Sequence, residues 1–251
     1  LGDPQNGRWV LQPKSKVIHC KRRYQGNTLI IETEFQTDSG VVAIIDFMPI
    51  REQTPDLVRI VEGRSGVVDM RMELVIRFDY GSTVPWVQHV EHGISAIAGP
   101  DALRLCCPVK LHGENFTTVA EFSVTAGDRI PFALTYYRSF ESPPDEIDPV
   151  EALEATRLWW EDWASQCIYH GDRRDFVMRS LITLKAMTYA PSGGMVAAAT
   201  TSVPEHIGGV RNWDYRYCWF RDATLTLRSL VNSGYTGEGR DWREWFLRAV
   251  A

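Results

Sequence analysis

What this chain has little of narrows its chemistry quickly. It has no run of lysines and arginines longer than the three residues Lys21-Arg22-Arg23, and its net charge of −5 argues against a nucleic-acid partner. No apolar stretch reaches 18 residues, which argues against a membrane span, and the first residues carry no charged-then-apolar secretory pattern. Its five cysteines, Cys20, Cys106, Cys107, Cys167 and Cys218, are odd in number and contain no C-x-x-C. Neither a zinc ribbon nor a disulfide framework is suggested, and free, mostly buried thiols in a reducing, cytoplasmic setting are expected. There is no H-E-x-x-H, and His89 and His92 lie in a segment of strand-like alternation, so no metal site and no cofactor is expected. The sequon Asn115-Phe116-Thr117 carries no meaning in a cytoplasmic chain. An initiator Met is missing as well. The chain opens on a turn-like Leu1-Gly2-Asp3-Pro4 and stops at Ala251 within a helical pattern, and reads as a piece of a longer protein.

What is present divides in two. Residues 1–141 read as strands: Trp9 to Leu11, Val17 to Tyr24, Thr28 to Gln36 and Val41 to Phe47, with turn signals at Gly26-Asn27 and Asp38-Ser39-Gly40. The run Val41 to Phe47 is apolar on both faces, as an interior strand would be. From Met70 to Tyr80, apolar residues alternate with mostly polar ones, which predicts a strand with one buried face. Further runs lie at Ile94 to Ala98, Leu103 to Cys107, Phe116 to Val124 and Phe132 to Tyr137. Short strands punctuated by Gly, Pro and Asp predict an antiparallel β-sandwich, and no nucleotide-binding loop occurs among them.

The acidic, proline-rich Ser142 to Pro149 marks a boundary, and 142–171 reads as a linker with its own helix from about 150 to 167. Two more helices are predicted from about Asp172 to Ala190 and from about Asp222 to Gly234. A fourth is predicted to open at Asp241, with Glu244 completing a capping box and Trp242, Trp245, Phe246 and Ala249 as its stripe. Trp159, Trp160, Trp163, Trp242 and Trp245 read as helix-packing core. The expected class is therefore multidomain β then α.

One stretch fits neither period. Arg211 to Asp222 holds five aromatic rings, three arginines and two aspartates within twelve residues. Rings mixed with hydrogen-bonding charges suit a polyol pocket, where C–H faces stack on an indole and hydroxyls meet arginine donors and aspartate acceptors. The plainer reading is a buried Arg–Asp pair in an aromatic core. A third is a β-sandwich interaction module whose helices only dock on a partner, with the cluster packed shut and no concave pocket around it.

The run Ser192-Gly193-Gly194-Met195-Val196-Ala197-Ala198-Ala199-Thr200-Thr201-Ser202-Val203-Pro204-Glu205, followed by Gly208 to Ala223, resembles glycoside hydrolase family 15, which holds glucoamylases, glucodextranases and some bacterial trehalases. The resemblance implies a β-sandwich, a linker, and then the first helices of a truncated (α/α)6 barrel over 172–251. It implies that Arg221 and Asp222 grip the terminal glucose, that Tyr215 and Trp219 line that subsite, and that Trp213 and Arg216 are neighbours. It implies an inverting, exo-acting hydrolase that releases glucose from α-glucosidic bonds in an α-glucan, an oligosaccharide or trehalose. The family's catalytic acid and base are glutamates that would lie beyond Ala251, so no catalytic residue is assigned, and this chain alone is expected to be inactive. Glu205 reads as loop structure. The alternative is a non-catalytic carbohydrate-binding or scaffold chain.

Overall fold

A computed structural model of the chain describes residues 3–50 and 54–250; Leu1 and Gly2 of the expected opening turn, and Ala251, lie outside it. Eleven strands come first: β1 (Arg8–Pro13), β2 (His19–Tyr24), β3 (Ile31–Gln36), β4 (Gly40–Phe47), β5 (Asp56–Val75), β6 (Trp86–Val90), β7 (Gly93–Ala98), β8 (Asp101–Cys106), β9 (His112–Glu114), β10 (Thr117–Thr125) and β11 (Arg129–Arg138). Four helices follow: α1 (Pro149–Ser165), α2 (Arg174–Ala186), α3 (Phe220–Asn232) and α4 (Thr236–Val250). The chain forms two compact units, one up to Trp159 and one from Trp160 onward. No helix among the described residues is long and apolar enough to cross a membrane.

The strand unit is built on β5. Its first half pairs with β4 and β11, and its second half with β1 and β10, always antiparallel. One strand of 20 residues therefore belongs to both sheets. The transfer happens at Gly66, whose φ of +67° is in the left-handed region, and where a Cβ would sit 2.1 Å from the Ser39 carbonyl oxygen. Only glycine meets both conditions without strain. Next to it the register shifts opposite Val41 and Val42 of β4, which pair with Ser65 and Gly63, so Arg64 is the extra residue of a bulge in β5.

Between the sheets lies the core. Val68, Met70, Met72 and Leu74 of β5 face inward with Val42 and Ile44 of β4, Ile94, Leu105 and Phe132. The expected two-sided burial of β4 is present, because Ile45 and Phe47 look the other way, into a second cluster with Ile30, Val58 and Ile60. Ala152 and Leu153 from the start of α1 lie against that second cluster. The polar face of β5 is an ion-pair surface, where Arg71 meets Glu73 at 3.0 Å, Glu121 at 2.9 Å and Glu114 at 3.2 Å.

The expected bounds of three elements need correction. The alternating run expected to reach Tyr80 stops at Val75. Asp79 and Tyr80 take φ of 49° and 55° in a turn, and Tyr80 is exposed. The same strand also starts earlier than expected, at Asp56, where burial on both faces hides the alternation. The fourth helix opens at Thr236, not at an Asp241 capping box. Gly234 at φ +106° ends α3, the chain turns within two residues, and Gly237 and Gly239 mask the new helix from a propensity reading. The second helix stops at Ala186, because Thr188–Tyr189 forms a two-residue ladder with Gly194–Met195.

The five cysteines carry free thiols; Cys107 and Cys167 are buried, Cys106 and Cys218 partly so, and Cys20 exposed. Fewer are buried than expected, because Cys20 lies on β2, an edge strand with every residue exposed.

Replacing Gly66 by Ala should destabilise the strand unit by about 2 kcal/mol or more, through φ strain and the clash with Ser39. Chemical denaturation followed by circular dichroism measures this. An unchanged midpoint would mean that the turn relaxes freely.

Candidate functional site

The two halves of the aromatic–charged motif meet as paired backbone. The Ala197 and Ala198 amides donate to the carbonyls of Tyr217 (3.1 Å) and Tyr215 (2.8 Å). Thr201 bridges Asp214, the Ser202 amide donates to Trp213 O at 2.8 Å, and the Glu205 amide to Arg211 O at 2.9 Å. Segment 197–205 is thus a rail for segment 211–217. Side chains reinforce it: the Trp213 amide donates to Ser202 Oγ at 2.7 Å, and Trp213 Nε1 donates to Glu205 Oε1 at 2.7 Å. Glu205 is a loop residue, as expected, and its particular task is to hold the Trp213 indole.

Three of the predicted site rings come together. Trp219 stands edge-on to Tyr215 at 5.4 Å and to Trp213 at 6.1 Å. Its Nε1 donates to the Asp214 carbonyl at 3.0 Å, which fixes the indole plane. Asp214 in turn chelates Arg216, with Nε to Oδ1 at 2.9 Å and Nη2 to Oδ2 at 2.7 Å. The Arg216 guanidinium holds the Asp214 carboxyl below the usual carboxylate range, so it is an ionised acceptor at neutral pH, not a general acid. Arg216, predicted as a neighbour of the sugar, is committed to Asp214.

Arg221 and Asp222 sit on the first turn of α3, immediately after Trp219, whose extended backbone (φ −107°, ψ 121°) precedes the helix without a side-chain cap. Arg221 Nη2 donates to Asp222 Oδ2 at 3.1 Å. The Arg221 side chain is 71% exposed and that of Asp222 31%, so the pair has donors and acceptors to spare for a ligand. Asp222 also benefits from the helix N-terminus, which favours a negative charge there. The cluster is open to solvent and not packed shut, which departs from one of the two features of the docking-module reading; none of the concavities described for this structure is lined by its residues.

A buried charge that no sequence signal announced ties α1, α2 and α4 together. Glu238 on α4 is 8% exposed, accepts from Trp163 Nε1 at 2.7 Å and lies 3.1 Å from Lys185 Nζ on α2. Trp163 stacks on Tyr235 at 4.0 Å. Trp160 and Trp163 are buried, as the core reading expected, and Trp242 and Trp245 form a half-buried aromatic patch with Phe246.

Fold and motif define a two-part class, an antiparallel β-sandwich followed by a helical unit that carries an aromatic–arginine–aspartate loop. Residues 1–131 match the family model described as trehalase-like, N-terminal, and residues 171–251 match glycosyl hydrolases family 15. The chain belongs to the trehalase-like N-terminal family, with a family 15 glycosyl hydrolase segment behind it. It is similar to the trehalase of Thermoplasma acidophilum, 31% identical over 95% of this chain and 42% of that protein. It is also similar to the trehalase of Mycobacterium tuberculosis, 32% identical over 96% of this chain and 39% of that protein. This chain therefore spans about two fifths of the curated relatives it matches. A bacterial glucoamylase solved with acarbose shares the fold at a TM-score of 0.58 and 11% identity, over 94% of this chain and 43% of that one.

Burial opposes ionisation of Glu238, but the bonds from Trp163 and Lys185 outweigh it, so its pKa is lowered. A lowered folded-state pKa contributes stability that is fully present above the ordinary carboxylate value of about 4.3 and is lost as pH falls through the folded one. Glu238→Ala should therefore destabilise the helical unit by roughly 1.5–3 kcal/mol at neutral pH. The difference from wild type should shrink on acidification. Denaturant midpoints measured at neutral and acidic pH check both. A difference that grows as pH falls would contradict the assignment.

Proposed function

We propose that this chain is the N-terminal part of an inverting, exo-acting glycoside hydrolase that cleaves the α-glucosidic bond of trehalose and releases glucose. The observation that carries the reading is the coincidence of two features in one chain. One is the open Arg221–Asp222 pair beside the Tyr215–Trp219–Trp213 rings; the other is a sandwich of the trehalase-like family. Within this reading α2, α3 and α4 are the first helices of an (α/α)6 barrel. Exposed apolar residues on them, Phe176, Leu225 and Leu247, support it, because a barrel would cover such faces with further helices. We take 1–141 as the sandwich domain, 142–171 as the linker and 172–251 as the barrel's beginning.

In the mechanism, this chain supplies binding and orientation. Asp222 accepts from hydroxyls of the terminal glucose far from the bond being cut, and Arg221 donates to them. The Tyr215 and Trp219 rings wall the sugar, and Trp213, held by Glu205, supports Trp219. Contacts on the far side of the ring fix the anomeric carbon, so that binding energy is used where the reaction happens. A pocket closed by this pair admits only a chain end, which makes the action exo. Inversion requires one carboxylic acid to protonate the leaving oxygen, and one carboxylate to take a proton from the attacking water on the opposite face. The two stand roughly 6.5–9.5 Å apart. Neither Asp214, bound to Arg216, nor Asp222 suits the acid's role, and we assign both carboxylates to glutamates outside this chain. Five free cysteines fit a reducing, cytoplasmic setting.

In the full-length protein, Asp222→Ala should lower kcat/KM for trehalose by about 10- to 150-fold, the equivalent of a charge-assisted hydrogen bond of roughly 1.5–3 kcal/mol. Both limbs of the pH profile should survive. Loss of all turnover together with one limb would make Asp222 a catalytic carboxylate and overturn the assignment. Trehalose binding without turnover in the unaltered full-length protein would favour the non-catalytic sugar-binding reading.

A further inference from the structure

The β-sandwich holds a concavity of about 380 Å3, within the range of small-molecule clefts, and no part of the reaction proposed above uses it. Its floor is apolar, made by Leu74, Ile76 and Ile94. Two aromatic rings stand on its rim almost fully in water: Trp86 at the start of β6 is 78% exposed, and Phe116 in the β9–β10 turn is 80% exposed.

Phe116 is the informative residue. Asn115 and Phe116 take φ of 46° and 60°, the two left-handed positions of a tight hairpin turn. The second of these favours glycine, and a bulky aromatic there is strained. An exposed ring recovers little of that strain through packing. A large side chain held at an unfavourable position, with its face in water beside a cavity, indicates a use outside the fold.

The lining supplies polar partners too. Arg77 donates to its neighbour's carbonyl, Ile76 O, at 2.7 Å and forms no ion pair among the described residues. His89 is exposed at the edge of the concavity, and His112 stands there with Glu114 at 2.8 Å. Two open rings, an apolar floor and imidazole and guanidinium donors suit a neutral ring with flat C–H faces and a belt of hydroxyls. A gluco-configured pyranose, with its hydroxyls equatorial, presents such faces.

We infer that this sandwich concavity is a second sugar site, which takes one glucose unit between Trp86 and Phe116. It goes beyond the hydrolase reading and stands on the sandwich alone. Its use would be to hold sugar on the protein, apart from the helical loop.

The test is a titration of the full-length protein with glucose, followed by saturation-transfer NMR and calorimetry. Two binding events are expected. Trp86→Ala and Phe116→Gly should each weaken one of them by about tenfold or more while leaving the other in place. Asp222→Ala should do the reverse. Phe116→Gly should also leave Tm unchanged or raise it, since glycine relieves the turn. The inference is overturned if both sandwich variants leave every glucose event unchanged. It is equally overturned if Phe116→Gly lowers Tm, which would make the ring a packing element. If the sandwich variants instead abolish self-association in sedimentation and spare glucose binding, the rings are a contact between copies. Insensitivity to Asp222→Ala alone would count against the hydrolase subsite and not against this one.

Discussion

The candidate site depends on one short backbone pairing. Segment 211–217 has no regular secondary structure of its own, yet it must present three rings in fixed planes. It does so because residues 197–205 run alongside and satisfy its carbonyls at Tyr217, Tyr215, Trp213 and Arg211. Polar side chains then lock what the backbone positions, with Ser202 and Glu205 on Trp213 and the Asp214 carboxylate on Arg216, while the Asp214 backbone carbonyl accepts from the Trp219 indole. Without that rail the rings would have neighbours but no orientation, and α3 would begin with Arg221 and Asp222 aimed at nothing. Loops carry function when a rigid frame holds them, and here the frame is partly another loop.

The two units show different ways of handling charge. On the sandwich, Arg71, Glu73, Glu114 and Glu121 form an exposed network whose contribution salt screens. In the helical unit Glu238 is buried, and its value lies in giving Trp163 and Lys185 a shared acceptor. Removing one partner of such a group leaves the others desolvated and unpaired, so it constrains the helices more than its single bond suggests. At the loop, Asp214 and Arg216 are bonded to each other at two points, while the Arg221 side chain is mostly in solvent and Asp222 is about as exposed as Asp214.

Much of this was legible in the sequence, and the failures have physical reasons. The strands of the sandwich and the burial of β4 on both faces follow from periodicity and turn residues, because β-structure there is dictated by which side chains face the core. The helix starting near Asp222 and stopping at Gly234 was readable for the same reason. The run to Tyr80 misled because Asp79 and Tyr80 continue the alternation while their backbone has already turned. The start of α4 was hidden by Gly237 and Gly239, whose low propensity is overridden by the burial of Tyr235 and Glu238. The local motif identified the loop residues, but which arginine is committed and which is open is a tertiary matter. Arg216 and Arg221 look alike in sequence and differ in the structure.

The central claim is that the Arg221–Asp222 pair holds the terminal sugar. A structure of the full-length protein with glucose bound tests it most directly. The account predicts a glucose ring against Trp219 and Tyr215, with hydroxyls remote from the anomeric carbon within hydrogen-bond distance of Asp222 and Arg221. A glucose found in the catalytic pocket with this loop empty, or with its anomeric carbon turned toward Asp222, would contradict it.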